Sequence, residues 1–295
     1  MIASTYDLVG AYMYKIDEIY NYIEERHLDD GGYFFARITP SSGLDTYLAV
    51  KTLKLLKRRP KKSESIIHFW ENEEKEGNID DLTGIYFSSQ TYRELGYSLR
   101  DFQKYKTLLF SVFQNKESYS KKAVSLKGES FGLYDTGIAS VYVDMLEGES
   151  KNIYYLTRLL VDLGIDFNKQ TLVDYVLSRR NSDGGFGSIK GSEVATTYYC
   201  LEVLNLISRK IEGVNKIRDY LLHELARANY LEEYHWSIIG LHLLGEHIPD
   251  RDRVLSFVEA CYRSNGGFSR SQFIGISSIE YTYQAVSTLK VLKAI

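Results

Sequence analysis

The sequence predicts an all-α protein built from about six helical hairpins that close into a ring, a closed α6/α6 barrel forming one domain over residues 1–295. Three observations predict it. A Gly pair recurs with a Thr beside a Tyr 12–15 residues later, and apolar residues follow that Thr at +7 and +10, on one helical face. The chain has only 3 prolines, so its helical patterns run uninterrupted. Neither terminal hairpin has the polar outer face that an open stack of hairpins needs, and ring closure removes that need.

The clearest copies are Asp30-Gly31-Gly32-Tyr33 with Asp45-Thr46-Tyr47, Asp183-Gly184-Gly185-Phe186 with Thr196-Thr197-Tyr198, and Asn265-Gly266-Gly267-Phe268 with Tyr281-Thr282-Tyr283. Weaker copies lie at Leu82-Thr83-Gly84-Ile85, Asp135-Thr136-Gly137-Ile138 and Trp236-Ser237-Ile238. In each hairpin one helix precedes the Gly-rich turn and one follows it. The predicted first helices are 8–26, 63–75, 101–115, 168–180, 213–227 and 251–263. The predicted second helices, which form the inner layer, are 44–57, 81–95, 133–147, 194–209, 233–245 and 279–293; a further pattern at 151–163 has no slot. The Gly pair permits φ > 0 and close backbone approach. The Asp, Thr, Ser or Glu before each second helix can accept from its orphan N–H groups.

Composition narrows the function classes. The net charge is −3, which argues against a nucleic-acid-binding surface. The basic run Lys57-Arg58-Arg59-Pro60-Lys61-Lys62 falls between helices and reads as a solvated loop or a docking patch. Two cysteines, Cys200 and Cys261, fit a reducing, cytoplasmic setting. No apolar run is long enough to span a membrane, and the N-terminal residues do not read as a signal peptide. There are 25 tyrosines, which suit a cavity where apolar walls meet polar tips.

The Gly-Gly-aromatic turns, with the Thr-Tyr starts of the helices that follow, resemble the repeats of the terpene cyclase and protein prenyltransferase β-subunit superfamily, the α/α toroids. The resemblance runs from about residue 8 to the C-terminus. It implies an aromatic-lined central cavity holding an isoprenoid or other apolar small molecule. It also implies one of two chemistries: protonation by an Asp-x-Asp-Asp acid, or zinc activation of a thiolate with a second subunit as protein partner.

Asn78-Ile79-Asp80-Asp81 resembles the acidic motif with its first Asp replaced. Matched by position, Asp80 is the proton donor and Asp81 its neighbour; the alternative is that both cap the following helix. Matching the zinc pattern puts Glu233 and His235 at two ligand positions, with Tyr281 where the family has a His. A simple hydrogen-bonding His is the alternative. Acids also stand at most inner-helix starts: Asp45, Asp81, Asp135, Glu193, Glu233 and Glu280. They can gather around Mg²⁺ for a diphosphate, or each can cap its own helix. The sequence thus leaves the cofactor open between none, Mg²⁺ and Zn²⁺. The expected cavity wall is Tyr47, Tyr86, Asp135, Tyr198, Trp236, Tyr281 and Tyr283, with core packing as the alternative for the aromatics. The reading that follows is an isoprenoid-handling cyclase or prenyltransferase-like protein. Its alternatives are a non-catalytic lipid-binding or protein-interaction toroid, and a zinc prenyltransferase with altered ligands.

Overall fold

The computed structural model describes the backbone of residues 5–114, 138–188 and 191–295, with side chains from residue 15 to 114, 149 to 188 and 191 to 295. In chain order the main helices are α1 (Thr5–Glu24), α2 (Gly43–Leu55), α3 (Ser63–Lys75), α4 (Leu82–Leu95), α5 (Ile138–Asp162), α6 (Lys169–Ser178), α7 (Val194–Leu206), α8 (Val214–Arg227), α9 (Leu231–Leu243), α10 (Arg251–Ala260) and α11 (Ile279–Val291). A 3₁₀ turn, Arg100–Tyr105, leads into a helical stretch at 106–114. Between α6 and α7 a two-residue hairpin pairs β1 (Gly187–Ser188) with β2 (Gly191–Ser192), antiparallel.

These elements form two compact units. The first holds Met1–Leu99, Ala228–Ile239 and His247–Ile295; the second holds Arg100–Arg227 and Gly240–Glu246. In the first unit α2 packs against both α4 and α11, so the first and last repeats of the chain are neighbours. In the second, α7 packs against α5 and α6. The predicted inner-face leucines Leu53, Leu204 and Leu289 are buried, as are Leu56, Ile207 and Leu292 one turn on.

The three clear repeats share one turn, built bond for bond. The residue before the Gly pair accepts from the second glycine: Asp30 from Gly32 at 3.2 Å, Asp183 from Gly185 at 3.0 Å and Asn265 from Gly267 at 3.1 Å. The buried aromatic after the pair donates its backbone N–H to the Thr of the next helix. These bonds are Tyr33 to Thr46 Oγ1 (2.9 Å), Phe186 to Thr197 Oγ1 (2.9 Å) and Phe268 to Thr282 Oγ1 (3.1 Å). The same aromatics accept at their carbonyls from Ser42, Glu193 and Ser278, the N-cap residues of α2, α7 and α11. A Thr in the first helical turn is needed because its hydroxyl satisfies a backbone donor that burial would otherwise leave orphaned.

The first glycine of each pair has φ between +87° and +98°, and a β-carbon there would fall on a helix carbonyl. That carbonyl belongs to Ser65 for Gly31, Lys216 for Gly184 and Glu18 for Gly266. Both the backbone sign and the close approach therefore demand glycine.

A second motif recurs at the far end of the same inner helices. Lys57, Ser208 and Lys293, each eleven residues after its Thr, have φ of 57°, 54° and 54°. The residue after each donates five residues back: Arg58 to Leu53, Arg209 to Leu204 and Ala294 to Leu289. This is the Schellman stop, usually made with glycine. Gly96 and Gly245 make it with glycine at the ends of α4 and α9.

Two expectations are corrected. The helices predicted at 133–147 and 151–163 form one continuous helix over its described length, α5. Gly148 does not break it, because a single interior glycine costs only about 1 kcal/mol and its neighbours are good helix formers. The helix predicted at 101–115 opens as a 3₁₀ turn.

Gly184→Ala should lower stability by at least about 2 kcal/mol, from left-handed strain plus overlap with the Lys216 carbonyl. Thr197→Val, nearly isosteric, should cost about 1–3 kcal/mol by orphaning the Phe186 N–H. Ser208→Gly should instead stabilise by roughly 0.5–1 kcal/mol, because it relieves a left-handed non-glycine residue. Urea denaturation midpoints at constant slope check all three.

Candidate functional site

Within the first unit, the inner helices bring a lysine, three tyrosines and a histidine together. Tyr47 and Lys51 lie four residues apart on α2 and so share a face. The Lys51 ammonium donates to the Tyr47 hydroxyl at 2.9 Å and stands over two rings, 5.2 Å from the centre of Tyr47 and 4.8 Å from that of Tyr283 on α11. The Tyr47 hydroxyl meets the Tyr86 hydroxyl of α4 at 3.3 Å. Their rings meet edge-on at 5.6 Å, and Phe87 stacks on Tyr47 at 5.7 Å. On the other side the His235 ring of α9 meets Tyr283 at 5.7 Å.

The electrostatics of the cluster follow from burial. His235 is buried, and its imidazole pKa is pushed down to about 3, chiefly by loss of solvent and further by the Lys51 charge; a hydrogen bond to the Gln284 backbone works the other way. The ring is therefore neutral at physiological pH. Lys51 supplies the positive charge. Lysine over aromatic faces is a cation–π arrangement that holds the ammonium in place.

At the N-terminus of α2, Asp45 is buried and its Oδ2 accepts from Phe35 N at 3.0 Å. Burial raises its pKa to about 6; the Phe35 bond lowers it and the Glu280 charge raises it further. Asp45 is thus a carboxyl that takes up a proton just below neutrality.

The repeat pattern and the helical architecture agree with a sequence family. The model of the prenyltransferase alpha-alpha toroid domain matches residues 1–98, 77–229 and 226–295. The chain belongs to this family. Its fold class is the all-α toroid. Among solved structures, a type II terpene cyclase from Scytonema, in complex with its product merosterolic acid A, is similar at 12% identity. The match covers 99% of each chain, with a TM-score of 0.37. No curated protein sequence matches the chain significantly.

Against this family the predicted site residues divide. Tyr47, Tyr86 and Tyr283 join the cluster just described. Tyr198 belongs to an aromatic group in the second unit, with Tyr199 at 4.9 Å and Tyr154 beyond it. Tyr281 lies half-buried, its pKa raised by burial and by Glu232, which pairs with Arg270 at 2.6 Å. Trp236 is half-buried on α9. Asp135 lies outside the described residues.

The two catalytic patterns do not assemble as the resemblance implies. Asp80 and Asp81 are exposed, and Asp81 is the N-cap of α4, accepting from Gly84 N at 2.7 Å. A carboxyl that protonates an alkene needs a poorly solvated pocket, and these two face water. Glu233 turns back to accept from Asn229 N and Tyr230 N at 2.8 and 3.1 Å, a capping role at the start of α9. His235 is buried among aromatics rather than paired with it. Among the described residues no three His, Cys, Asp or Glu side chains stand close enough to hold a metal. Of the two remaining inner-helix acids, Glu193 accepts from Thr196 at 2.9 Å and Glu280 lies exposed in the first turn of α11.

Sequence reasoning missed Lys51. Its signal was present: a cation four residues after a helix-start tyrosine, on the same face of an inner helix.

The pH response of Asp45 has a definite sign. The folded pKa lies above the unfolded one, so the native state binds more protons between about pH 4 and 6, and stability falls as pH rises through that window. Asp45→Asn, which keeps an acceptor for Phe35, should exceed the wild type by up to about 3 kcal/mol at neutral pH, with the gap closing near pH 4. Urea denaturation across that range measures it. His235 should show no imidazole titration by NMR between about pH 8 and 5.

Proposed function

We propose that the protein binds an isoprenoid chain bearing an anionic end, with the tyrosine cluster of α2, α4 and α11 as the ligand-facing wall and Lys51 as the counter-charge. The single observation that carries this reading is Lys51 held over Tyr47 and Tyr283. Aromatic faces suit an isoprenoid chain by burying its apolar surface. An ammonium among them favours a phosphate or diphosphate head. It disfavours a carbocation beside it, since like charges a few ångströms apart repel strongly in a dry site.

The family supports an isoprenoid as the ligand class. Exposure of Asp80 and Asp81 supports binding over proton-initiated cyclisation at that motif. Turnover is then a separate question that the same assay answers.

Polyprenyl diphosphates, polyprenols and squalene should be titrated against the protein by calorimetry and by tyrosine fluorescence, with products followed by mass spectrometry. Diphosphates should bind tightest. Lys51→Met should weaken diphosphate binding about tenfold, the value of one charge-assisted contact, and leave polyprenol binding unchanged. Binding without consumption supports a carrier, and a new product supports an enzyme. Failure of a well-folded sample to bind any of the three ligands overturns the reading.

A further inference from the structure

Beyond the tyrosine cluster, a second concave site lies in the first unit where the end of α2, the start of α3 and the end of α4 converge. It encloses about 540 Å³, within the range of small-molecule sites. Four cations line it, Lys54, Lys57, Arg58 and Arg59, against one carboxylate, Glu94. Lys54 pairs with Glu94 at 2.8 Å, and Arg58 pairs with Asp17 of α1 at 2.7 Å. Lys57 and Arg59 are exposed and make no ion pair among the described residues. A chain of net charge −3 thus concentrates an unbalanced positive charge in one pocket.

The repeat does not require this charge. Lys57 occupies the Schellman position that Ser208 and Lys293 fill in the other repeats. The following residues there are Arg209-Lys210-Ile211-Glu212-Gly213 and Ala294-Ile295. Here they are Arg58-Arg59-Pro60-Lys61-Lys62. One cation suffices to complement a helix C-terminus, and the first repeat carries several more than that.

Pro60 and Tyr97 form part of the wall, and the Ser63 hydroxyl donates to the Pro60 carbonyl at 3.3 Å, bracing the turn from α2 into α3. Two guanidinium groups and two ammonium groups around a pocket of this size match a compact, multiply charged anion. Guanidinium recognises phosphate oxygens in a bidentate fork, and lysine adds point charge.

We infer that this pocket binds a polyvalent phosphate group, supplied either by a free organophosphate or by a phosphorylated lipid headgroup.

Pyrophosphate alone is the first probe, titrated by calorimetry at low and at physiological salt. Binding should weaken with salt. It should fall at least tenfold in the double variant Lys57→Glu/Arg59→Glu, whose exposed side chains can be reversed without unfolding; a thermal melt confirms the fold. Because the tyrosine cluster can also attract phosphate, the two sites are told apart by which variant removes the binding: pyrophosphate binding that survives in Lys51→Met and is lost in Lys57→Glu/Arg59→Glu belongs to this pocket. Soluble inositol trisphosphate and vesicles of phosphatidylcholine with or without phosphatidylinositol bisphosphate then separate the two sources. A vesicle preference assigns a lipid headgroup, and equal affinity assigns a free organophosphate. Three results overturn the inference: no binding of pyrophosphate or of phosphorylated vesicles, loss of binding in Lys51→Met alone, or preference for a polyglutamate peptide over pyrophosphate.

Discussion

The fold depends on one polar contact repeated through the chain: a buried backbone N–H, on the aromatic after a Gly pair, donated to a threonine hydroxyl in the first turn of the next helix. Burying Tyr33, Phe186 and Phe268 brings their main chain away from water, where an unmade hydrogen bond costs far more than a made one gains. The threonine removes that cost and, in doing so, fixes where the helix begins. The glycine before it presses on the carbonyl of a helix in another hairpin. One contact therefore sets the turn, the helix start and the spacing to the neighbouring hairpin. Cooperative repetition of such a unit lets short helices, individually marginal in water, hold together.

The same geometry explains the chemistry of the inner face. With each helix start pinned, residues one turn in, such as Tyr47 and Tyr283, are presented to neighbouring inner helices in the first unit. Lys51 follows Tyr47 by four residues and so lies over the same patch. Its charge helps keep the buried His235 neutral. A neutral imidazole, phenol hydroxyls and one ammonium thus meet in one largely buried cluster.

Much of this was legible in the residues. The Gly pairs, the threonines and the +7 leucines mark every strong repeat, because each has a stereochemical or hydrogen-bonding reason that no other residue meets as well. The tyrosines at helix starts pointed to Tyr47, Tyr86 and Tyr283. The acids carried two readings in the sequence. Asp80, Asp81 and Glu233 carry the chemistry of catalysis and of capping equally, and sequence alone cannot say whether water surrounds them. Asp81 and Glu233 cap their helices, and Asp80 faces solvent. Asp45, which looked like another cap, is instead buried and raised in pKa by that burial.

By itself the sequence determined the helical class, the repeat, the turns and nearly all the helix positions. These rest on local steric rules and on a periodicity of 3.6, which act within a few residues of each other. Only the tertiary structure decided which of many tyrosines meet, that a lysine stands over Tyr47 and Tyr283, and which carboxyls are dry. Those are properties of residues tens to hundreds of positions apart. Burial, the pKa shifts it causes and the pairing of charges depend on what packs from other helices, and one chain segment holds no record of that.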